Sequence, residues 1–169
     1  GDAALACRRI HESADGSLWL GTQLGLNRLD PETRQITHYT EKQGLSNNVV
    51  LGILEDNNGD LWLTTNNGLN QFNPRTGAVT IYDVSDGLQS NDVRVLLEDR
   101  DGGLWIGTNG RGVMRYRDGR LVNYRARDGM IDDTIYRILD DGTGSLWFSS
   151  NAGIQRVPRE QFELFDARA

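Results

Sequence analysis

Four tryptophans, Trp19, Trp62, Trp105 and Trp147, follow one another at steps of 43, 43 and 42 residues. Each sits in the same phrase, which reads DGSLWLGT from Asp15, NGDLWLTT from Asn58, DGGLWIGT from Asp101 and TGSLWFSS from Thr143. A fixed period of this length marks an array of one supersecondary unit. Such a unit cannot bury its apolar faces alone, so neighbouring copies must stack on one another. This constraint settles the fold class before any local propensity is consulted.

The copies extend outward from each Trp. Upstream lies an apolar run ending in acid, as in Val49-Val50-Leu51-Gly52-Ile53-Leu54-Glu55-Asp56, Val93-Arg94-Val95-Leu96-Leu97-Glu98-Asp99 and Ile135-Tyr136-Arg137-Ile138-Leu139-Asp140-Asp141. The first copy, Leu5 to Glu12, is weaker and has Ser13 where the others have Asp. Downstream come Gly25, Gly68, Gly112 and Gly153, each followed by a short strand-like run, then a turn and a segment ending in an aromatic residue. The closing segments are Ile36–Tyr39, Val79–Tyr82, Leu121–Tyr124 and Phe162–Phe165. The first two runs of each copy are nearly all apolar, as in strands buried on both faces, whereas the third and fourth alternate. Asp-Gly, Asn-Gly and Thr-Gly supply the turns. Pro31, Pro74 and Pro158 all fall at the end of the third run, where no ladder donor is needed. No sustained amphipathic helix is expected. Four antiparallel strands in about 40–45 residues is the pattern of a β-propeller blade. The predicted blades are 1–43, 44–86, 87–128 and 129–169, in one propeller or half-propeller domain.

The phrases Glu-Asp-x-x-Gly-x-Leu-Trp, Asn-Gly-Leu-Asn-x-Phe/Leu and Gly-Leu-Ser-Asn-Asn-Val resemble the repeats of the two-component-regulator propeller family. The likeness runs through the whole chain and is strongest from about Ser46 to Ser85. It implies an extracytoplasmic, periplasmic sensor region of a bacterial hybrid histidine kinase or related signalling protein. Ligands vary within that family, so no binding residue is carried over. More loosely, the blades resemble those of streptogramin-lyase-type propellers. That chemistry needs a His and a metal-holding carboxylate on one face, and the sequence does not display the set. Glycosidase chemistry needs two opposed carboxylates, which spacing alone leaves open among 24 acids.

Composition fits a globular chain with 37% apolar and 25% charged residues, long enough for a core. No leader and no long apolar stretch stand in it, so a soluble segment of a larger protein is expected, with no membrane contact of its own. Cys7 is a single cysteine and forms no internal disulfide. The net charge of −6 is spread through the repeats without a basic stripe, which argues against a nucleic-acid partner.

Individual residues favour structural roles. Trp19, Trp62, Trp105 and Trp147 are expected in the core between blades rather than stacked on a sugar. Asp99 to Gly102 lacks the remaining ligands of a calcium loop and reads as a hairpin turn. The segment Ser13 to Trp19 resembles a sialidase Asp-box, itself a structural hairpin. The Gly-x-Gly of Asn109-Gly110-Arg111-Gly112 reads as a turn insertion with no following helix. His11 and His38 are isolated, and no metal-ligand spacing is present, so no catalytic residue, metal or cofactor is expected.

The remaining candidate site is the approach to each first strand, where Asn47 and Asn48, Asn91 and Asp92, and Asp132 and Asp133 recur. These donors and acceptors suit a small polar molecule or a glycan, although each also suits a turn cap. The expected function is a non-catalytic ligand-sensing module. The alternatives are a dimerisation scaffold without a ligand and, behind it, a lyase-like or glycan-active enzyme. A whole number of blades leaves no strand to close a ring, so an eight-bladed ring formed by a homodimer through the end blades is expected.

Overall fold

The repeat phrase folds the same way at each occurrence. The computed structural model describes residues 6–166, which fall into two compact units parting between Asp86 and Gly87. Residues 1–5 and 167–169 of the first and last expected blades lie outside the described residues.

The first unit holds two four-stranded antiparallel sheets. Blade one is β1 (Arg9–Glu12), β2 (Leu18–Thr22), β3 (Gly25–Leu29) and β4 (Ile36–Tyr39). Blade two is β5 (Val50–Glu55), β6 (Leu61–Thr65), β7 (Gly68–Phe72) and β8 (Val79–Tyr82). The strands are adjacent in chain order, so each blade is a meander. Gly68 shows why a glycine opens each third strand. Its φ is +91°, and a Cβ there would stand 2.5 Å from the Tyr82 carbonyl oxygen.

Strand register decides what each face of a blade carries. In blade one, Trp19, Gly21, Leu26 and Tyr39 share one face, and Ile10, Leu18, Leu20, Leu29 and Ile36 share the other. The core of the unit lies between the Trp face of blade one and the opposite face of blade two. It joins Trp19, Leu26 and Tyr39 to Val50, Ile53, Leu61, Leu63 and Phe72. Strand β5 packs on β1 and β2, so the blades converge at their first strands. Gly21 permits this approach, because a Cβ at that position would lie 3.0 Å from Val50 Cγ1.

The second unit holds blade three, with β9 (Val93–Glu98), β10 (Leu104–Thr108), β11 (Val113–Arg117) and β12 (Arg120–Tyr124), and blade four, with β13 (Ile135–Asp140), β14 (Ser145–Ser150) and β15 (Gly153–Pro158). Its core repeats the arrangement of the first, from Trp105, Val113 and Tyr124 to Ile135, Ile138, Leu146, Phe148 and Val157.

Blade four departs from the expected pattern. Its sheet has three strands, and the segment read as a fourth strand is the helix α1 (Arg159–Asp166). The physical reason lies in Phe162. In the first unit Phe72, on a third strand, lies 4.8 Å from Tyr39 and 5.6 Å from Trp19 between ring centroids. The equivalent of Phe72 in blade four is the smaller Val157. Phe162 enters from α1 instead, 4.8 Å from Tyr124 and 4.6 Å from Trp105. The helix thus restores the aromatic trio that the strand no longer supplies. Pro158 ends β15 just ahead of the helix, a position proline tolerates.

Two further expectations need correction. Trp19, Trp62 and Trp105 are buried, but Trp147 is 38% exposed, because nothing among the described residues covers its face of blade four. The second strands β6 and β10 are buried on both faces, as read from the sequence, whereas the first strands are only partly buried. First strands lie at the edge of each sheet, so their apolar runs are covered on fewer sides.

Candidate functional site

In blades two, three and four the Asp that follows the first strand locks the hairpin onto the Trp. Asp99 Oδ1 accepts hydrogen bonds from the Asp101 and Gly103 amides at 3.0 and 2.8 Å, and its Oδ2 accepts from Trp105 Nε1 at 2.8 Å. Asp56 bonds Trp62 in the same way at 2.9 Å, and Asp141 bonds Trp147 at 3.1 Å. Arg115 lies 5.2 Å above the Trp105 ring, and Arg28 and Arg156 take the same place over Trp19 and Trp147. Burial pushes the Asp99 pKa up, but the bonds from Trp105 and Gly103 and the nearby Arg115 guanidinium outweigh it and hold the group below the usual range. The sequence shows these acids at a fixed distance from the Trp. Their role as a combined turn cap and indole anchor is visible only in the structure.

The loops before the first strands use most of their polar side chains internally. Asn47 Oδ1 accepts from the Val49 amide at 2.9 Å, and Asp132 Oδ1 accepts from the Thr134 amide at the same distance. Ser90 occupies the equivalent position, its Oγ accepting from the Asp92 amide at 3.0 Å. Asn48 Oδ1 reaches back to the Glu41 amide at 2.9 Å, and Asp133 Oδ1 to the Ala126 amide at 2.8 Å. Asn91 stands at the Asn48 position with its side-chain oxygen buried. Each loop is also tied to its own third strand. Asn70 Oδ1 accepts from the Ser46 amide at 2.8 Å, and Gln155 Oε1 accepts from the Ile131 amide at 2.7 Å. Of the six candidates, Asn47, Asn48, Asp132 and Asp133 therefore hold the loops in shape.

Asp92 differs. It faces Arg94, whose Nε and Nη2 donate at 2.8 and 3.0 Å, and it accepts from Asn109 Nδ2 at 2.9 Å. The Asn109–Gly112 turn joins this loop to the next, since Asn109 N donates to the Asp92 carbonyl at 3.2 Å and Gly112 N to the Asp133 carbonyl at 2.6 Å. The structure so brings Asp92 and Asp133 to one connected polar surface in the second unit. Asn47 and Asn48 belong to the first unit.

The sequence reading missed the side chains that rise from this surface. A register shift near the start of each of β5, β9 and β13 leaves Leu51, Arg94 and Tyr136 out of the ladder. Such bulges turn a side chain away from the regular faces of a sheet. Strands β9 and β13 pack on each other, so Arg94 and Tyr136 emerge from adjacent first strands. Both are exposed, and Tyr136 Oη bonds the Asn151 side-chain oxygen at 2.6 Å. The signal available in the sequence is the polar residue interrupting each apolar run at Val93-Arg94-Val95 and Ile135-Tyr136-Arg137.

At the far end of the first strands of unit one, His11 Nε2 lies 2.6 Å from Glu55 Oε2, and Ser13 Oγ donates to the same oxygen at 2.6 Å. Trp19 Nε1 donates to Ser13 Oγ at 3.1 Å, so Ser13 takes the anchoring part of the missing Asp. Among the described residues, no three His, Cys, Asp or Glu side chains are grouped to hold a metal ion, and no helix is long and apolar enough to cross a membrane.

Residues 44–67 and 87–110 match the model of the two-component regulator propeller family. No curated protein matches the chain. Among solved structures, the chain is similar to an extracellular domain assigned to a hybrid two-component system of B. thetaiotaomicron. That likeness has 22% identity and a TM-score of 0.76, and covers 92% of this chain and 24% of that one. A virginiamycin B lyase from Staphylococcus aureus is similar at 16% identity and a TM-score of 0.66, covering 94% of this chain and 57% of the lyase. The computationally designed Ika4 protein is similar at 13% identity and a TM-score of 0.70, with 93% of each chain covered. At these identities the likenesses establish the propeller-type fold, and the chain spans about a quarter of the length of the B. thetaiotaomicron domain. Blades two and three thus each contain a segment that matches the two-component regulator propeller model.

Proposed function

We propose that this chain is a non-catalytic ligand-sensing module of a bacterial signal-transduction receptor, positioned in the periplasm. It binds a small polar molecule or glycan on the surface formed by Asp92, Arg94, Asn109, Tyr136 and Asn151. The observation that carries this reading is the pair of bulges that lifts Arg94 and Tyr136 from strands β9 and β13, beside loops whose polar side chains are locked to their own backbone. A guanidinium beside a phenol suits a carboxylate or a ring hydroxyl, and rigid loops need little ordering on binding. The family match and the likeness to an extracellular sensor domain support the signalling context.

The test is a thermal-shift screen of polar metabolites and glycans, followed by titration calorimetry on each hit. Arg94→Ala and Tyr136→Phe should weaken a genuine ligand while leaving the melting temperature of the free protein unchanged. A ligand that binds both variants as tightly as wild type would place the site elsewhere. Silence across a broad panel would favour the scaffold reading, which the self-bonded Asn47, Asn48, Asp132 and Asp133 support. The His11–Glu55 pair is the contact that favours an enzyme reading, and turnover lost in His11→Ala would establish it over the sensor.

A further inference from the structure

The turn between β10 and β11 is one residue longer than its counterparts. In blades one, two and four the second and third strands are joined by Gln23-Leu24, Asn66-Asn67 and Asn151-Ala152, set between the paired residues Thr22 and Gly25, Thr65 and Gly68, and Ser150 and Gly153. In blade three Asn109-Gly110-Arg111 stands between Thr108 and Gly112, with Thr108 N donating to the Gly112 carbonyl at 3.1 Å. Both ends of this longer turn are held. Asn109 donates to Asp92 through its amide and its side chain, and Gly112 N donates to the Asp133 carbonyl. Gly110 and Gly112 have φ of +77° and +80°, which glycine adopts without strain. The backbone of Arg111 is therefore fixed between the segments that lead to Arg94 and to Tyr136.

The charges of this surface are unevenly matched. Arg94 is clasped by Asp92 through two nitrogens, at 2.8 and 3.0 Å. Asp132 and Asp133 each turn an oxygen to a loop amide, of Thr134 and Ala126. Arg111 is exposed and forms no ion pair among the described residues. We infer that Arg111 receives the carboxylate of an acidic sugar whose ring lies against Tyr136, an inference that rests on the ligand-sensing reading above and names its ligand class. A guanidinium fork matches a carboxylate with two parallel hydrogen bonds. Tyr136 is 42% exposed and offers the face of its ring to the apolar side of a sugar. Asn151, whose side-chain oxygen accepts from Tyr136, keeps an amide donor for a ring hydroxyl.

The experiment is titration calorimetry of the whole chain with oligomers of galacturonate, glucuronate and mannuronate, and with the same oligomers methyl-esterified at the carboxyl groups. One acidic oligomer should bind, more weakly as salt is raised, and its ester should bind roughly 10-fold more weakly or worse. Arg111→Gln should weaken the acidic oligomer by the same factor and leave the ester unchanged. Arg111→Lys should fall between, because it keeps the charge and loses the fork. An unchanged melting temperature in both variants excludes misfolding as the cause. An acidic oligomer bound as tightly by Arg111→Gln as by wild type overturns the inference, as does equal binding of acid and ester. Succinate bound as tightly as the oligomer overturns the sugar. Silence of all the acidic oligomers also overturns the inference. A neutral glycan whose binding is lost in Arg94→Ala but kept in Arg111→Gln would overturn it while upholding the sensing surface.

Discussion

Phe162 offers the sharpest test of how blade four is completed. Its side chain is fully buried, with ring centroids 4.6 Å from Trp105, 4.8 Å from Tyr124 and 6.0 Å from Phe148. Phe162→Ala should cost about 3–5 kcal/mol from lost transfer energy and the cavity left behind. That is about a third to a half of the stability of a small unit holding roughly 10 kcal/mol. The strand position that Phe72 fills in the first unit is Val157 here, itself buried. Val157→Phe in the wild-type background should overpack the site and cost about 1–3 kcal/mol. In the Phe162→Ala background the same change should recover about 1–3 kcal/mol, because the new ring enters the vacated space from the strand side. The sign of the Val157→Phe effect should therefore reverse. Urea titration followed by tryptophan fluorescence measures all four proteins. Costs that add to within about 0.5 kcal/mol would refute the idea that strand and helix supply one interchangeable ring.

The remaining predictions concern the anchors and the charges. Trp105→Ala should destabilise by about 3–5 kcal/mol, whereas Trp147→Ala should cost about 1 kcal/mol or less, and denaturant midpoints will separate the two. Asp99→Asn should remove an acid-sensitive contribution to stability. The folded-state pKa of Asp99 is depressed, so its contribution is complete above the unfolded value near 4 and is lost as pH falls through the folded value. Unfolding measured from pH 6 down to 2 should show a shallower acid decline in the variant, and identical slopes would remove Asp99 as the source.

Period, turn chemistry and the Trp phrase made the blades legible, because each is local and repeated. The fate of the last segment was not legible for a specific reason. Phe162-Glu163-Leu164-Phe165 alternates as Val79–Tyr82 does, and only the loss of bulk at Val157 signals that a ring must arrive by another route. That signal becomes visible once Val157 is set against Phe72 in the same register. For the candidate loops the sequence left a binding role and a turn-cap role side by side, and the side chains of Asn47, Asn48, Asp132 and Asp133 bond to their own loops. Asn and Asp have the same composition signature in a turn cap as in a binding loop, so sequence separates the two only through the backbone. Arg94 and Tyr136 escaped notice because a bulge inside an apolar run looks like a flaw in the pattern.

The two junctions also show that a repeat drifts in pairs rather than blade by blade. At the first, Ser13 replaces the Asp, and its hydroxyl serves Trp19 and Glu55 together. His11 stands beside Glu55 there, its Nε2 2.6 Å from Glu55 Oε2. At the second, Asp99 keeps the acid, and Asp140 takes the place of Glu55. Asp99 is paired with Arg115 at 3.4 Å, and Asp140 lies 3.8 Å from Arg100. Arg159, the first residue of α1, links the two acids, with Nη2 2.6 Å from Asp140 Oδ2 and Nη1 3.0 Å from Asp101 Oδ2 and 3.6 Å from Asp99 Oδ2. The helix therefore brings both Phe162 for the aromatic core and Arg159 for the buried acids. The helix that stands in place of the fourth strand of blade four thus supplies the ring that Val157 lacks and a shared cation for Asp99 and Asp140.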